Sequence, residues 1–337
     1  MKNRQWIYCQ APLAVVGTEH YQMREIDLDE DLQQDFVLIA ARWISVDPYM
    51  RINQASGDTW MPPHPINTVQ GAAVVAQVLK SNATGIIPGD WVLAYSGWQE
   101  FAKVHVTALS KIDAGIASPQ SALGVLGMPG RTAWFGLTEA GRPSVNEVVA
   151  VSGAAGAVGS LVVQFAVRQG AQVLAIAGSD AKCAWLRESL GAKWALNYKD
   201  YPDAPALTKA IQAATGGVDV YFDNVGGKVS DAIWPCINRR ARIVICGQMS
   251  QYSGARDTPE LAPRFLHHVL YQRATIQGIL ARDYSHRIDE MLRIVAPMVR
   301  SGEVVMPETI LHGFEQLPSA LNQLFTGSQQ GKLMVQL

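Results

Sequence analysis

The stretch that most constrains the fold is residues 148–159, which read VVAVSGAAGAVG. Its first four residues are apolar, as expected of a strand buried on both faces of a parallel sheet. Gly153, Gly156 and Gly159 follow, and apolar residues then recur at helical spacing as far as Gln169. Tight turns and close approach of a pyrophosphate need residues without a Cβ, and a helix N-terminus attracts anions. The pattern predicts a dinucleotide-binding loop; because its GxxGxxG spacing differs from GxGxxG, a plain turn is the alternative.

Downstream of this stretch, strand-like and helix-like segments alternate. Further strands are predicted at 172–177, 194–198, 218–223, 242–247 and 275–280, with helices between several of them. Such alternation is typical of an α/β fold with a doubly wound parallel sheet. The sequence therefore predicts a nucleotide-binding domain, which we place at residues 126–299.

The residues upstream of this domain show a different pattern. Short apolar runs recur at 36–46, 69–78 and 89–95, separated by turn-forming Pro and Gly. Their spacing predicts a β-rich, partly open barrel rather than βαβ units. Because 337 residues exceed what one hydrophobic core usually serves, we assign 1–125 and 300–337 to this second domain. Ligands are expected in the cleft between the two domains.

Composition narrows the class of protein. The net charge of −1 gives no sign of a nucleic-acid or membrane-surface partner, and no apolar run approaches the ~18 residues of a membrane span. The first residues lack a signal-like apolar core, so a cytoplasmic location is expected. Cys9, Cys183, Cys236 and Cys246 are scattered, which predicts neither a disulfide framework nor a zinc knuckle.

The end of the second predicted strand indicates which cofactor binds. An NAD site places a carboxylate there for the ribose hydroxyls, but this chain has Gly178. Asp180 comes later and is expected to cap the following helix. Lys182 is close enough to meet a ribose 2′-phosphate, although a solvated lysine on a first helical turn is the alternative. The missing carboxylate and the nearby cation predict NADP(H).

Five stretches carry a resemblance that runs nearly end to end. They are DPYMR at 47–51, GMPGRTAWFGL at 127–137, SGAAGAVGS at 152–160, residues 178–200, and FDNVGG with ICGQMSQY at 222–227 and 245–252. In these the chain resembles the zinc-free, NADP-dependent medium-chain dehydrogenases/reductases, in the group of prostaglandin reductases, leukotriene B4 dehydrogenases, alkenal double-bond reductases and bacterial curcumin reductases. The resemblance implies a Rossmann domain beside a GroES-like barrel domain.

The resemblance also implies roles for individual residues. At the pyrophosphate and 2′-phosphate it implies Gly156, Ala157, Val158, Gly159, Ser179, Lys182 and Tyr198. Along the nicotinamide and its ribose it implies Asn224, Cys246, Gly247, Gln248, Tyr252, Ile279, Leu280 and Ala281. One departure concerns Gln329, which stands where the family often has an asparagine. Whether its longer amide reaches the cofactor is left open.

A metal-free site is expected. Zinc alcohol dehydrogenases of this superfamily carry Gly-His-Glu where this chain reads Gly71-Ala72-Ala73. A catalytic zinc needs about three protein ligands, and the alanines can supply none. The histidines of the first domain are dispersed along the sequence.

The expected reaction is the reduction of an activated alkene. Without a metal nothing acidifies an alcohol, whereas a hydride can add to the β-carbon of an α,β-unsaturated ketone or aldehyde. The resulting enolate needs a hydrogen-bond donor, and the α-carbon needs a proton. Tyr252 and Tyr271 are the catalytic candidates, with water as an alternative proton donor. The resemblance places Tyr49 and Tyr252 at the substrate pocket, where Trp60, Met61 and Trp98 are further apolar candidates or core residues.

Other functions stay open at this stage. Quinone reduction is possible on the same scaffold, and an NADPH-binding sensor or structural protein with little turnover belongs to a different class. The resemblance further implies a homodimer that forms through the strand predicted at 275–280.

Overall fold

The computed structural model describes residues 1–13, 15–54, 61–252 and 261–337. The strands are β1 (Lys2–Tyr8), β2 (Tyr21–Asp27), β3 (Phe36–Ser45), β4 (Thr68–Val69), β5 (Val74–Ser81), β6 (Trp91–Ala94), β7 (Phe101–His105), β8 (Leu109–Lys111), β9 (Val148–Val151), β10 (Gln172–Ala177), β11 (Trp194–Asn197), β12 (Val218–Asp223), β13 (Ile237–Ile245), β14 (Thr275–Gly278), β15 (Glu308–His312) and β16 (Lys332–Gln336). The helices are α1 (Tyr49–Asn53), α2 (Met128–Phe135), α3 (Gly159–Arg168), α4 (Asp180–Glu188), α5 (Ala204–Thr215), α6 (Gly227–Ile233), α7 (Leu266–Gln272), α8 (Ile288–Arg300) and α9 (Leu317–Thr326). No helix in these ranges is long and apolar enough to cross a membrane.

The central feature of the fold is a six-stranded parallel sheet. Its strand order is β11-β10-β9-β12-β13-β14, which counts as 3-2-1-4-5-6 from the first strand of this sheet. That order is the doubly wound Rossmann arrangement, so the predicted fold class is confirmed. The order reverses between β9 and β12, and ligands of such sheets bind beyond the carboxyl ends of the strands at that point.

The apolar run that opens the glycine stretch is buried from both sides. Val149 and Val151 belong to a core that includes the inner face of α3, whereas Val148 and Ala150 belong to a second core that includes α5. Alternate residues of a strand point to opposite faces, so β9 needs apolar residues at every position. Full burial of one such valine contributes about 1.5–3 kcal/mol.

The remaining strands form the β-rich part of the molecule. A seven-stranded sheet has the path β15-β16-β3-β5-β6-β8 with β7 added to β3, and a three-stranded sheet has the order β2-β1-β4. The strands β15 and β16 come from the C-terminal tail, and β16 lies antiparallel to β3. The C-terminal tail thus pairs with a strand of the N-terminal region. The proposed boundaries at 125/126 and 299/300 stay predictions.

Two contacts bring the C-terminal tail against the glycine loop. The Gly331 N–H donates to the Ala155 carbonyl (2.8 Å), and Gly331 forms an isolated bridge with Gly156. Further along α3, the Gln164 amide donates to the Val305 carbonyl (2.7 Å) and accepts from the Val305 N–H (2.9 Å). The tail thus lies beside the predicted phosphate-binding loop.

Candidate active site

A buried carboxylate stands at the point where the strand order reverses. Asp223, at the end of β12, is 1% exposed and accepts a hydrogen bond from the Ser152 hydroxyl (2.9 Å), directly after β9. The next residue, Asn224, donates through its side chain to the Ser152 carbonyl (2.7 Å) and through its backbone to the Ser152 hydroxyl (2.8 Å). These bonds join the two central strands at their carboxyl ends and fix Asn224, predicted to bind the cofactor, at the crevice.

The glycine loop is built so that α3 approaches it closely. Gly153 has φ +57°, a conformation that favours glycine. A Cβ on Gly159 would lie 2.3 Å from the Gly153 carbonyl oxygen, so any side chain there would force α3 away from the loop. Ala157 and Val158 lead directly into the first turn of α3. The N–H groups of Ser160, Leu161 and Val162 in that turn donate to the Gly156 and Val158 carbonyls, and the positive end of the helix dipole still faces the loop, where a pyrophosphate is expected.

The segment after β13 runs against the end of β12. The N–H groups of Cys246 and Gly247 donate to the Asp223 carbonyl (2.8 and 3.0 Å), and the Gln248 side chain donates to its carboxylate (3.3 Å). Burial raises the pKa of the Cys246 thiol to about 12, with a smaller contribution from the charge of Asp223. The thiol is therefore neutral at physiological pH and acts as an apolar wall rather than a nucleophile.

Tyr252 closes this segment into a short loop. Its hydroxyl oxygen accepts a hydrogen bond from the Gln248 N–H (2.9 Å). Beyond β14, Ile279 and Ala281 are buried, and the Ile279 N–H donates to the Ile245 carbonyl (3.1 Å). The predicted nicotinamide residues Tyr252, Ile279, Leu280 and Ala281 therefore follow β13 and β14 at the same edge of the sheet.

At the end of β10, the position of an NAD carboxylate is crowded by two side chains. A Cβ on Gly178 would lie 3.1 Å from the Tyr198 ring and 3.4 Å from the Lys199 side chain. The expected capping role of Asp180 is wrong, because the Ser179 side chain is the N-cap and accepts from the Lys182 N–H (3.4 Å). The extended backbone of Ser179 lets its hydroxyl turn back to the helix, whereas Asp180 already has a helical position.

Lys182 has an internal partner and a cationic neighbour. Its ammonium donates to the Gly327 carbonyl (2.7 Å) at the end of α9. Burial and the charge of Lys199 both lower the pKa of Lys182. Two cations with Tyr198 and the Ser179 hydroxyl thus meet where a 2′-phosphate is expected. Sequence reasoning missed Lys199, although it stands beside Tyr198 in the LNYKD stretch.

Gln329 supplies a further test of whether a cofactor fits. Its side-chain N–H donates to the Leu324 carbonyl (3.1 Å), but its buried oxygen Oε1 has no partner among the residues that the structure describes. A buried acceptor without a donor is costly, so this atom suits a ligand N–H. The donor groups of the loop, the cations near Gly178 and this acceptor together fit a dinucleotide.

The segment DPYMR, residues 47–51, contacts the part of the C-terminal tail that lies beside the glycine loop. The buried ammonium of Lys332, next to Gly331, is 3.2 Å from the Asp47 carboxylate and donates to the Val46 carbonyl (2.9 Å). Tyr49 follows two residues later and is half-buried. Tyr95, a residue that sequence reasoning missed, lies near Tyr49, and burial raises the pKa of both phenols.

Other predicted residues lie elsewhere. Tyr271 is 70% exposed on α7, with its ring 6.0 Å from that of His267, so the structure does not place it in a buried pocket. Trp98 is fully buried in the β-rich core, which favours the core alternative. Trp60 lies outside the described residues.

Comparison with known proteins agrees with this geometry. Residues 157–297 match the family model described as zinc-binding dehydrogenase, and residues 4–112 match the N-terminal domain of oxidoreductase. The NADPH-dependent curcumin reductase of Escherichia coli (strain K12) is 35% identical, covering 100% of this chain and 97% of that protein. The NADP(+)-dependent 2-alkenal reductase of Nicotiana tabacum is 37% identical, covering 89% and 86%.

A solved structure extends the likeness to three dimensions. CurA from Vibrio vulnificus, in complex with NADPH, has a TM-score of 0.91 and 32% identity, covering 99% of this chain and 98% of that one. The chain belongs to the NADP-dependent medium-chain dehydrogenase/reductase family, in the group that contains the curcumin and 2-alkenal reductases. The predicted family is therefore confirmed.

The metal question is separate from family membership. Across the described ranges, no three His, Cys, Asp or Glu side chains are grouped so that they could hold a metal ion. Gly71-Ala72-Ala73 leads into β5 without a ligating side chain. A metal-free site stays a prediction.

The first testable prediction concerns cofactor choice. Lys182→Ala should raise the NADPH dissociation constant by about tenfold or more and leave that for NADH nearly unchanged, because only NADPH has the 2′-phosphate. Tryptophan fluorescence titration with both cofactors measures this. Lys193→Ala is a matched control, since Lys193 binds Gln172 at the amino end of β10. Equal loss of both cofactors would mean that Lys182 supports the fold instead.

Proposed function

We propose that this protein reduces the carbon–carbon double bond of α,β-unsaturated ketones and aldehydes with NADPH as the hydride source. The observation that carries the proposal is a dinucleotide site at the strand-order reversal, which has no carboxylate at Gly178 beyond β10 and has Tyr252 in the segment after β13. The likeness to curcumin and 2-alkenal reductases over nearly the whole chain supports the same substrate class.

The residues of this chain would hold the cofactor at three places. The N-terminal turn of α3 would hold the pyrophosphate, and Lys182 with Tyr198 the 2′-phosphate. The segment from Cys246 to Tyr252, with Ile279 and Ala281, would line the nicotinamide end. NADPH, when bound, supplies the hydride that adds to the β-carbon of the substrate.

The protein's own chemical contribution is a hydrogen bond to the carbonyl oxygen. As the β-carbon accepts a hydride, negative charge moves to that oxygen, and a fixed O–H donor stabilises it. The Gln248 N–H donates to the Tyr252 oxygen and so holds the phenol in the segment that follows β13. A phenol is neutral at pH 7 and can donate without first gaining a proton. The α-carbon then takes a proton from Tyr252 or from water.

An enone panel tests the proposed reaction. Purified protein should consume NADPH with a diarylheptanoid such as curcumin or with a short alkenal, and much more slowly with NADH. A chelator should not lower the rate, because the reaction as proposed uses no metal. If NADPH binds but no enone is reduced, the binding-protein alternative is favoured; turnover with quinones alone would favour a quinone reductase.

Tyrosine variants test the hydrogen-bond donor. Tyr252→Phe should lower turnover by about 10²–10³, the range for loss of one oxyanion donor, while NADPH affinity stays close to that of the wild type. Tyr271→Phe tests the second catalytic candidate. In a single chain the Tyr271 side chain is exposed, so water can hydrogen-bond to its hydroxyl. Steady-state rates and fluorescence titration measure both effects. Wild-type turnover in both variants would assign the donor role to other groups or to water.

We also propose that the chain forms a homodimer. β14 is the edge of the parallel sheet, and Ile276 on it is 39% exposed. Leu266 and Leu270 on the neighbouring α7 are 68% and 70% exposed. An apolar strand edge of this kind is a liability unless it is paired, and a second copy can pair with it about a twofold axis.

Light scattering at micromolar concentration tests the dimer. The wild type should have the mass of two chains, and Ile276→Asp should shift it toward one because a carboxylate would be buried at the interface. Ile294→Asp on α8 is the matched control, since Ile294 is also 39% exposed. A wild-type protein with the mass of one chain would contradict the proposal.

The compartment proposed for the protein is the cytoplasm. All four cysteines are free thiols in the structure, two of them buried. The cytosol keeps thiols reduced, so such a set is compatible with it.

A further inference from the structure

The side chain of Gln248 connects the buried carboxylate of Asp223 to the segment that follows β13. The Oδ2 atom of Asp223 accepts hydrogen bonds from the Ser230 hydroxyl (2.6 Å) and from the Gln248 amide (3.3 Å). The Oδ1 atom accepts from residues after β9, in β12 and in the loop that follows it, which are Ser152, Tyr221, Val225 and Gly226. Within the described part of the chain, Gln248 is thus the side chain that joins this carboxylate to the segment after β13.

Both N–H groups of the Gln248 amide have an acceptor. Besides the Asp223 carboxylate, the amide nitrogen bonds to the Gly247 carbonyl (3.0 Å). If the amide were turned over, its oxygen would face a carboxylate and a carbonyl, neither of which can donate. A Cβ on Gly226 would lie 2.3 Å from the Gln248 Oε1 atom, so the glycine leaves the space that the amide occupies. The Gln248 side chain therefore has one favourable orientation.

The backbone of the same residue holds the Tyr252 phenol. The Gln248 N–H donates to the Tyr252 hydroxyl oxygen (2.9 Å). The N–H groups of Met249 and Ser250 donate to carbonyls in the loop after β12, at 3.3 and 3.0 Å, so the turn that leads to Tyr252 lies directly on that loop. A displacement of Gln248 from Asp223 would therefore also displace the hydrogen bond that fixes the phenol.

We propose that Gln248 is a positioning residue for enone reduction: its amide fixes the segment after β13 on Asp223, and its N–H thereby holds the Tyr252 hydroxyl in place for the substrate carbonyl. This rests on the proposed function, in which Tyr252 stabilises the enolate. A donor that is fixed before the substrate binds needs no rearrangement while the charge develops. Loss of the Gln248 amide should therefore lower kcat more than it changes substrate or cofactor binding.

The first experiment is a double-mutant cycle on Gln248 and Tyr252, assayed with the enone panel. Gln248→Met keeps an unbranched side chain and removes the amide, so kcat should fall about three- to tenfold while KM and the NADPH dissociation constant change less than about twofold. In the Tyr252→Phe background the same substitution should cause no further loss, because no hydroxyl is left to position. Asp223 lines a cavity of about 790 Å³, so water can replace the lost N–H group and the variant is expected to fold.

Gln248→Glu supplies a readout that a packing role would not change. A protonated Glu side chain can donate to Asp223, whereas an ionised one is repelled, and two such carboxyl groups keep a shared proton to a higher pH than a lone glutamate does. The ratio of its kcat to that of the wild type should therefore fall about tenfold between about pH 5 and pH 8, while the ratio for Gln248→Met stays constant.

Two controls accompany the pH series. The charged and titratable groups that line the cavity beside Gln248 are Asp231, Arg264 and His267. They are present in the wild type and in the variants, so the ratio of rates removes their own titration. Gln212→Glu on α5 makes the same chemical change at an exposed position and should keep the wild-type kcat at every pH.

The outcomes separate the two proposals. If the wild type reduces enones and Gln248→Met keeps the wild-type kcat, or loses as much in the Tyr252→Phe background, the role of Gln248 is wrong while the proposed function stands. A ratio for Gln248→Glu that does not change with pH would assign the residue to packing, and its role is again wrong. If the wild type reduces no enone, the proposed function fails, and the role of Gln248 fails with it.

Discussion

The carboxylate of Asp223 is the group on which the site depends. Six neutral donors converge on it: the hydroxyls of Ser152, Tyr221 and Ser230, the N–H groups of Val225 and Gly226, and the side-chain amide of Gln248. A buried carboxylate loses several kcal/mol of hydration, and hydrogen bonds to a charged acceptor contribute about 1.5–3 kcal/mol each. The donors come from the turn after β9, from β12 and the loop that follows it, from α6 and from the segment after β13. One charge therefore sets the relative position of the glycine loop and the nicotinamide segment.

The hydrogen bonds to Asp223 also hold two glycine-containing segments in place. The glycine loop needs left-handed backbone at Gly153, and Gly226 and Gly227 have φ of +71° and +55°. Glycines lose more conformational freedom on folding than other residues, so loops made of them are weakly held by their own preferences. Bonds from Asp223 to Ser152 and to Gly226 fix both glycine segments. In an Asp223→Asn variant, the amide N–H groups would face several hydrogen-bond donors at once, and two donors cannot bond to each other.

Sequence reasoning succeeded where the determinant is local. The continuous apolar run of β9, the glycine turn and the absence of a carboxylate at Gly178 each depend on neighbours in the chain. It failed where long-range contacts decide. Ser152 and Asp223 are 71 positions apart, and Gln164 and Val305 are 141 positions apart. β1 and β2 were not predicted, because their polar residues interrupt any apolar run. Ser179 rather than Asp180 became the cap because the helix begins one residue earlier than expected.

The C-terminal tail then determines how tightly the cofactor can be held. A Cβ on Gly331 would lie 1.8 Å from the Pro307 carbonyl oxygen, so the tail follows this path only with glycine there. The same tail supplies the Gly327 carbonyl that already binds the Lys182 ammonium at 2.7 Å. A 2′-phosphate must therefore replace an existing bond or share the ammonium with it. The net gain from Lys182 is smaller than a new charged hydrogen bond would give, toward the lower end of about 1.5–3 kcal/mol. Lys199 is close enough for its positive charge to lower the pKa of Lys182. A bound 2′-phosphate would offset the repulsion between these two cations. Discrimination for NADPH therefore comes from the pair of lysines rather than from Lys182 alone.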